Sequence, residues 1–298
     1  GFSSELAVGE SKALKQMGQE FVLFRGQDGQ ARLLDAHCPH LGAHLGHGGK
    51  VVDNALQCPF HAWEFGGDGR CRKIPYAQKI PSRAGVKSWP VQEKNGMILF
   101  WYHHADADAD WEVEEFPQLG EEGWTPMQTM NWTVRTHVQE IGENGVDAAH
   151  LSYVHGTTNV PETELFEDGF VLRSRYTSEV EDGGVWLDAK ETVVERACYG
   201  LGLSTLLMDG AVRLLTVASR TPIDEEQVLL SVGFTLRALP SSEENEALMK
   251  RILEKYSSEV GQDIRIWEHK AYADKPMLCD GDGPIGQWRR FARQFYPA

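Results

Sequence analysis

The sequence contains CPHLG at residues 38–42 and CPFHAW at residues 58–63, two short segments that share a cysteine, a proline and a histidine. Together they form a Cys-x-His…Cys-x-x-His frame, whose candidate metal ligands are Cys38, His40, Cys58 and His61. Two thiolates and two imidazoles suit a tetrahedral zinc ion, and they also suit a [2Fe-2S] cluster in which histidines replace the cysteines on one iron. A zinc finger needs a histidine pair three to five residues apart, so the spacing favours the cluster.

Other histidines and cysteines have no place in this frame. Three histidines surround the first segment: His37, His44 and His47. Four ligands are complete without them, so we expect structural or surface roles. The remaining cysteines show no even pairing: Cys71, Cys198 and Cys279. Unpaired cysteines indicate a reducing compartment, and the cytoplasm is the expected location.

Composition limits the class of protein. The 298 residues are 41% hydrophobic and 24% charged, which is typical of a globular chain with two ordinary domains. The net charge of −15 argues against nucleic acid as a partner, because phosphate binding needs clustered Lys and Arg. No apolar run is long enough to span a bilayer. The chain starts with Gly-Phe instead of Met, so a membrane anchor missing from the N-terminus stays open.

The first hundred residues predict an all-β domain. Short apolar stretches separated by Gly-, Asp- and Asn-rich turns are typical of small sheets: Phe21–Phe24, Ala31–Leu34, Val51–Leu56 and Met97–Trp101. The run HHADADAD at residues 103–110 is acidic and has no helical or strand period, which indicates a connector. We therefore predict an N-terminal domain at residues 1–105 and a second domain at residues 106–298.

The second domain mixes both kinds of secondary structure. We predict one helix around Val138–His155 and another around Glu243–Ala273. The predicted strands are Phe170–Val180, Val185–Val194, Ala211–Thr221 and Gln227–Leu236. This pattern predicts an α+β fold.

A second metal site is predicted in this domain. Asn144, Asp147 and His150 are spaced along one side of the first predicted helix. His155 is followed by Gly156, a residue that commonly ends helices, and a helix that ends here brings both imidazoles to one ion. Two histidines and one carboxylate, with open positions on one face, form the ligand set of non-haem Fe(II) oxygenases.

The third ligand is not fixed by this pattern. The second predicted helix has an apolar stripe at Ile252, Tyr256, Val260, Ile264 and Trp267. Asp263 lies within that stripe, where a carboxylate needs a metal or a partner. Three acidic residues compete for the role: Glu268, Asp274 and Asp280.

These motifs together resemble the catalytic α subunit of Rieske non-haem iron oxygenases, over essentially the whole length. The resemblance implies a [2Fe-2S] cluster held by the first frame, and mononuclear Fe(II) held by His150, His155 and Asp263. It implies a Rieske domain followed by a helix-grip domain with an antiparallel sheet. It also assigns Asn144 and Asp147 to the catalytic residues.

The resemblance also implies a homotrimer, in which an electron passes between neighbouring subunits. The carboxylate of Asp147 would bond His61 of a neighbouring subunit on one side and His150 on the other. In respiratory Rieske proteins the two loops carry a disulfide, at positions filled here by Ala43 and Phe60. Neither residue forms a disulfide, which favours the oxygenase class.

Several segments are similar to those of 3-ketosteroid 9α-hydroxylases and cholesterol 7-desaturases, among them residues 61–77, 263–270 and 276–287. This implies a sterol or steroid substrate oxidised with O2 at a C–H bond, by hydroxylation, desaturation or demethylation. An apolar cavity bordered by residues of Leu201–Leu215 would suit such a substrate.

The electron donor is expected to be a separate protein. Residues 281–286 match G-x-G-x-x-G, but a long helix precedes them and Pro284 interrupts them, so they do not form a dinucleotide site. Electrons would then come from a separate reductase or ferredoxin. Three alternatives stay open: an oxygenase for aromatic or other hydrophobic compounds, a soluble Rieske electron carrier, and a zinc-structured sterol-binding module.

Overall fold

The computed structural model describes residues 1–179 and 191–296, which form two compact units, Gly1–Phe116 and Pro117–Ala298. The sequence placed the boundary between residues 105 and 106, earlier than the end of the first unit. Residues 106–116 belong to the first unit, and Asn95 binds their last part to it. Its Oδ1 accepts from the N–H of Phe116 at 2.9 Å, and its Nδ2 donates to the carbonyl of Glu114 at 2.8 Å.

The first unit is all-β, as predicted. Its strands are β1 (Ser11–Gln16), β2 (Gln19–Arg25), β3 (Ala31–Asp35), β4 (Lys50–Val52), β5 (Ala55–Gln57), β6 (Glu64–Gly66), β7 (Cys71–Lys73), β8 (Ser88–Trp89), β9 (Val91–Lys94) and β10 (Met97–Phe100). They form antiparallel sheets in the orders β1-β2-β3-β8, β4-β5-β6-β7 and β10-β9.

One predicted strand of this unit is wrong. The stretch Val51–Leu56 is not a single strand but the β4–β5 hairpin, in which Val52 pairs with Ala55. The chain turns at Asp53, whose φ of 52° is left-handed and incompatible with a continuous strand.

The second unit is an antiparallel sheet with helices. Its strands are β11 (Gln128–Val134), β12 (Glu164–Asp168), β13 (Val171–Glu179), β14 (Glu191–Tyr199), β15 (Leu203–Asp209), β16 (Arg213–Pro222) and β17 (Val228–Leu236). The order is β11-β17-β16-β15-β14-β13-β12. The helices are α1 (Val138–Asn144), α2 (Ala148–Tyr153), α3 (Ser242–Trp267) and α4 (Ile285–Arg293). The predicted strands correspond to β13, β14, β16 and β17, although Val180 and residues 185–190 lie outside the described residues.

Helix α3 packs against one face of this sheet, which confirms the predicted helix-grip arrangement. Ser241 caps the helix, because its Oγ accepts from the N–H of Glu244 at 3.3 Å. The predicted stripe faces the sheet, where Ile252, Val260 and Trp267 join one core with strand residues. Within the described residues, no helix is both long and apolar enough to cross a bilayer.

The helix predicted around Val138–His155 is wrong as a continuous element. It is divided into α1 and α2, and Asn144, Asp147 and His150 therefore do not share one helix face. Asp147 has extended backbone dihedrals and caps α2 by accepting from the N–H of His150 at 3.3 Å. Gly145 lies against the guanidinium of Arg196, where a Cβ would meet Nη1 at 1.9 Å. The break brings a helix N-terminus to the predicted metal ligands.

The second predicted helix ends earlier than expected, at Trp267 instead of Ala273. Glu268 is its C-cap, and the carbonyl of Glu268 accepts from Nη2 of Arg135 at 2.7 Å. That bond ties the end of α3 to the segment between β11 and α1.

Candidate metal centres

The two cysteine loops of the first unit have the same backbone geometry. The N–H of Cys38 donates to the carbonyl of Ala43 at 2.9 Å, and the N–H of Cys58 donates to the carbonyl of Trp63 at 2.7 Å. Four residues after each cysteine, Gly42 and Ala62 have left-handed φ values of 76° and 56°. The frame is therefore carried on two matched tight turns.

The side chains of this frame fit a cluster with mixed ligands. The rings of His40 and His61 lie close together, with centroids 4.6 Å apart. Nδ1 of His61 is buried and accepts or donates no hydrogen bond among the described residues, which suits a metal-binding atom. Cys38 and Cys58 are both buried, and burial raises the pKa of Cys38 to about 11, with Cys58 adding to the shift. Iron would displace such thiol protons on binding.

The three neighbouring histidines have other contacts. Nδ1 of His44 accepts from the N–H of Gly46 at 3.0 Å, and Nε2 of His37 lies 3.5 Å from a carboxylate oxygen of Glu20. His47 packs against the ring of His44. These contacts agree with the expected structural and surface roles.

A second group of ligands lies in the second unit. Ligand atoms of His150, His155 and Asp263 all lie within 4.8 Å of one another. His150 comes from α2, His155 lies just beyond it, and Asp263 comes from the buried face of α3. Nε2 of His155 is 3.1 Å from Oδ1 of Asp263. The geometry agrees with the predicted two-histidine, one-carboxylate set.

The tautomer of His150 leaves Nε2 available for a metal. Its Nδ1 is hydrogen-bonded to the main-chain carbonyl of Asp147, which only accepts, so Nδ1 carries the proton. Burial lowers the pKa of His150 below its ordinary value and keeps the ring neutral, as a ligand must be. The sequence assigned this ring contact to the Asp147 carboxylate. The carbonyl makes it instead, because the carboxylate is turned to cap α2.

His155 and Asp263 form a hydrogen-bonded pair. Burial acts to lower the pKa of His155, but the hydrogen bond to Asp263 and the charge of that carboxylate outweigh it, so the pKa is raised. Nδ1 of His155 lies 3.2 Å from Oε1 of Gln262, which fixes the ring. A divalent cation would take the place of the shared proton between Nε2 and the carboxylate.

Asn144 links two of the candidate ligands. Its Nδ2 donates to Nε2 of His150 and to Oδ2 of Asp263, at 3.1 Å each. A metal bound to Nε2 would displace the first of these bonds and leave the second. An amide in this position orients the carboxylate toward the point where the imidazoles converge. Asn144 therefore supports the ligand set, and it also lines the adjacent cavity.

The competing acidic residues lie elsewhere. Oε1 of Glu268 accepts from the N–H of Arg135 at 3.3 Å, beyond the end of α3. Asp274 and Asp280 are exposed. None of the three belongs to the ligand group found among the described residues.

The three candidate ligands line a cavity of about 260 Å³ beneath the sheet. That is just below the usual range for ligand pockets, roughly 300–1,000 Å³, and suits a single small molecule. Ser204, Leu206 and Met208 line it, within the stretch Leu201–Leu215 that the sequence predicted. The expected apolar character is only partly found, because polar and charged side chains also line the cavity: Tyr176, Arg196, Arg220, Tyr256 and Glu259.

Apart from Tyr256, which belongs to the predicted stripe, these polar lining residues were missed in the sequence. Glu259 lies one helical turn before Asp263, so its place on the same face was foreseeable. Burial raises its pKa, although the ion pair with Lys255 at 3.0 Å opposes the shift. Arg196 and Arg220 each interrupt an apolar strand. This signal is overlooked when titratable residues are considered without the pattern of the strand around them.

Comparisons with known proteins agree with both centres. A Rieske [2Fe-2S] domain matches residues 1–90, and a 3-ketosteroid 9α-hydroxylase C-terminal domain matches residues 100–296. The chain is 35% identical to a cholesterol 7-desaturase of Hemicentrotus pulcherrimus, over 99% of this chain and 68% of that protein. It is 29% identical to the oxygenase component of a 3-ketosteroid 9α-monooxygenase of Rhodococcus rhodochrous, over 99% and 82%.

A solved structure has the same fold. Dicamba monooxygenase bound to dicamba superposes with a TM-score of 0.78, at 18% identity, over 99% of this chain and 94% of that one. The matched domains cover both candidate metal centres. The chain therefore belongs to the 3-ketosteroid 9α-hydroxylase family of Rieske-type non-haem iron oxygenases.

Proposed function

We propose that this protein is the oxygenase component of a multicomponent system that oxidises a C–H bond of a sterol or steroid-like molecule with O2. The observation that carries the proposal is the group of His150, His155 and Asp263, which lines a cavity. The full-length similarity to cholesterol 7-desaturases and to 3-ketosteroid 9α-monooxygenase oxygenase components supports the substrate class.

Each metal has its own set of ligands in this proposal. Cys38 and Cys58 would hold one iron of the [2Fe-2S] cluster, and His40 and His61 the other. His150, His155 and Asp263 would hold a mononuclear Fe(II), which supplies dioxygen chemistry when it is bound.

The remaining residues position these ligands. The Asp147 carbonyl holds Nδ1 of His150 and so fixes the tautomer. Asn144 orients the Asp263 carboxylate through the bond at 3.1 Å. Leu206 and Met208 contribute apolar surface to the cavity wall, which would exclude water from the reacting C–H bond.

Partners and assembly are part of the same proposal. Electrons would come from a separate reductase or ferredoxin. The Rhodococcus relative is named an oxygenase component, which implies a multicomponent system for that protein. We propose a homotrimer in which the Asp147 carboxylate bonds His61 of a neighbouring subunit. Sedimentation equilibrium tests this, since a trimer has three times the chain mass of 33.4 kDa. A cytoplasmic location completes the proposal and is supported by five cysteines without disulfides.

A single-turnover experiment tests the activity without the natural reductase. Protein loaded with cluster and Fe(II) is reduced with dithionite, freed of excess reductant, and mixed with oxygenated buffer containing cholesterol or progesterone. Mass spectrometry then measures oxidised or desaturated steroid per chain. We expect product from the wild type and from Glu246→Gln, a control at an exposed carboxylate of the same helix.

Asp263→Asn is expected to give no product while keeping the electron paramagnetic resonance signal of the reduced cluster. Undiminished product from Asp263→Asn would contradict the assignment of the mononuclear site. Absence of product from every steroid tried with fully loaded wild type would contradict the proposed substrate class.

A further inference from the structure

Two buried arginines line the cavity that holds the candidate metal ligands. Arg196 lies on β14 and Arg220 on β16, with only 8% and 2% of their surfaces exposed. Thr216, Ala218 and Arg220 alternate along β16, so all three are on the face that lines the cavity. Arg220 therefore lies in the wall of the proposed substrate site.

One edge of the Arg220 guanidinium has no protein partner. Nε and Nη2 are buried and make no hydrogen bond within residues 1–179 and 191–296. Burial lowers the pKa of Arg220, with the Cys198 thiol opposing the shift, yet a guanidinium stays charged at neutral pH. A buried charge without a partner is costly, so a ligand that supplies the opposite charge is favoured.

The same edge of another arginine shows which kind of group this edge binds. Nε and Nη2 of Arg289 bind the two carboxylate oxygens of Glu143, at 2.7 and 3.0 Å. This side-on fork matches the spacing of carboxylate or sulfate oxygens. Arg220 has the same pair of donors, buried and unpaired, in the wall of the cavity.

The three carboxylates of the cavity wall already have other partners, and Asp147 accepts from the N–H of His150 at 3.3 Å. Glu259 pairs with Lys255 at 3.0 Å, and Asp263 pairs with His155 at 3.1 Å. Among the described residues, Arg196 donates through Nη2 to the carbonyl of Gly142 at 3.3 Å and forms no ion pair. Neither arginine is paired with a carboxylate of the cavity wall among the described residues, so their charge is complementary to an anionic ligand.

We propose that the cavity binds a substrate carrying an oxyanion, a carboxylate or a sulfate, through Nε and Nη2 of Arg220. Arg196 adds positive charge to the same wall. This inference rests on the proposed function and narrows it to acidic steroids. The anchored oxyanion sets the orientation of the ring system relative to His150, His155 and Asp263.

Calorimetry with matched ligand pairs tests the inference without reductase or O2. Lithocholate is compared with its methyl ester, and dehydroepiandrosterone sulfate with dehydroepiandrosterone, so that each pair differs in the anionic group. The first pair presents a carboxylate on the side chain and the second a sulfate on the ring system. We expect one anion of the two to bind about 10- to 100-fold more tightly than its neutral partner.

Arg220→Met is expected to abolish that preference, so that the anion and its neutral partner bind the variant with equal affinity. Arg213→Met, at the half-exposed start of the same strand, is the matched control and keeps the preference. Circular dichroism checks that both variants fold. The comparison of acid with ester in the wild type does not depend on either variant.

Equal affinity within both pairs, absence of binding by all four compounds, or a preference that persists in Arg220→Met would overturn the inference. The proposed function is judged separately, by turnover of neutral steroids. Oxidation of progesterone together with no anion preference would retain the oxygenase and reject the role of Arg220.

Discussion

Gly142 of α1 lies where any side chain would collide with Trp288 of α4. A Cβ at this position would be 2.2 Å from Cζ2 and 2.7 Å from Cη2 of the indole, whereas carbon atoms in contact are about 3.5–4.0 Å apart. Trp288 is fully buried and packs with Val146 and Phe291, so the ring cannot move without displacing its neighbours. Gly142→Ala would therefore push α1 away from α4.

The expected loss of stability follows from two opposing terms. Overpacking of this kind costs about 1–3 kcal/mol, while alanine in place of a mid-helix glycine contributes about 0.5–1 kcal/mol in return. With both terms at the middle of their ranges, the free energy of unfolding should fall by about 1 kcal/mol. Gly261 of α3 is the matched control, since a Cβ there meets no atom of the described residues within 4 Å. Gly261→Ala should raise the free energy of unfolding by about 0.5–1 kcal/mol.

Urea unfolding followed by far-UV circular dichroism measures both variants under identical metal loading. We expect a lower midpoint for Gly142→Ala, a higher one for Gly261→Ala, and unchanged slopes. A Gly142→Ala protein as stable as the wild type would refute the packing of α1 on Trp288. A loss of stability in Gly261→Ala would refute the open surroundings assigned to Gly261.

Three further changes test other parts of the structure. Asn144→Leu removes the bond to the Asp263 carboxylate and should weaken Fe(II) binding about 10- to 100-fold in chelator competition, with the cluster signal unchanged. Glu93→Gln removes the ion pair with Arg25, whose hydrogen bond lowers the pKa of Glu93. The variant should lose less than about 1 kcal/mol of thermal stability at pH 7. This loss should vanish as the pH falls from the ordinary value of 4.5 through the lowered pKa of Glu93. Gly42→Ala forces alanine into φ 76° and should cost about 1 kcal/mol in urea unfolding, so a neutral result would contradict the left-handed turn beside Cys38.

The cluster frame was predictable because its signal is local. Cys38 and His40 lie in one tight turn and Cys58 and His61 in another, so spacing along the chain nearly fixes spacing in space. The apolar stripe around Asp263 was visible for the same reason, since a helix repeats every 3.6 residues. Glu268 stayed open as a competitor because its exclusion depends on where α3 ends, and Arg135, far away in sequence, sets that end.

The break between α1 and α2 was missed because its causes are partly non-local. Gly145 and the cap residue Asp147 were visible in the sequence, but the guanidinium that fills the space beside Gly145 comes from Arg196 on a distant strand. The charged wall of the cavity was missed for a similar reason. Only the pairing of β14, β15 and β16 brings Arg196 and Arg220 to one face of the sheet.

The central claim is that one chain holds a mixed-ligand [2Fe-2S] cluster and a separate mononuclear iron. Iron and acid-labile sulfide, counted per chain in protein prepared anaerobically with both metals supplied, test it most directly. We expect three irons and two sulfides in the wild type, and two irons and two sulfides in His155→Ala. Colourless protein without sulfide, or a His155→Ala variant that keeps its third iron, would contradict the claim.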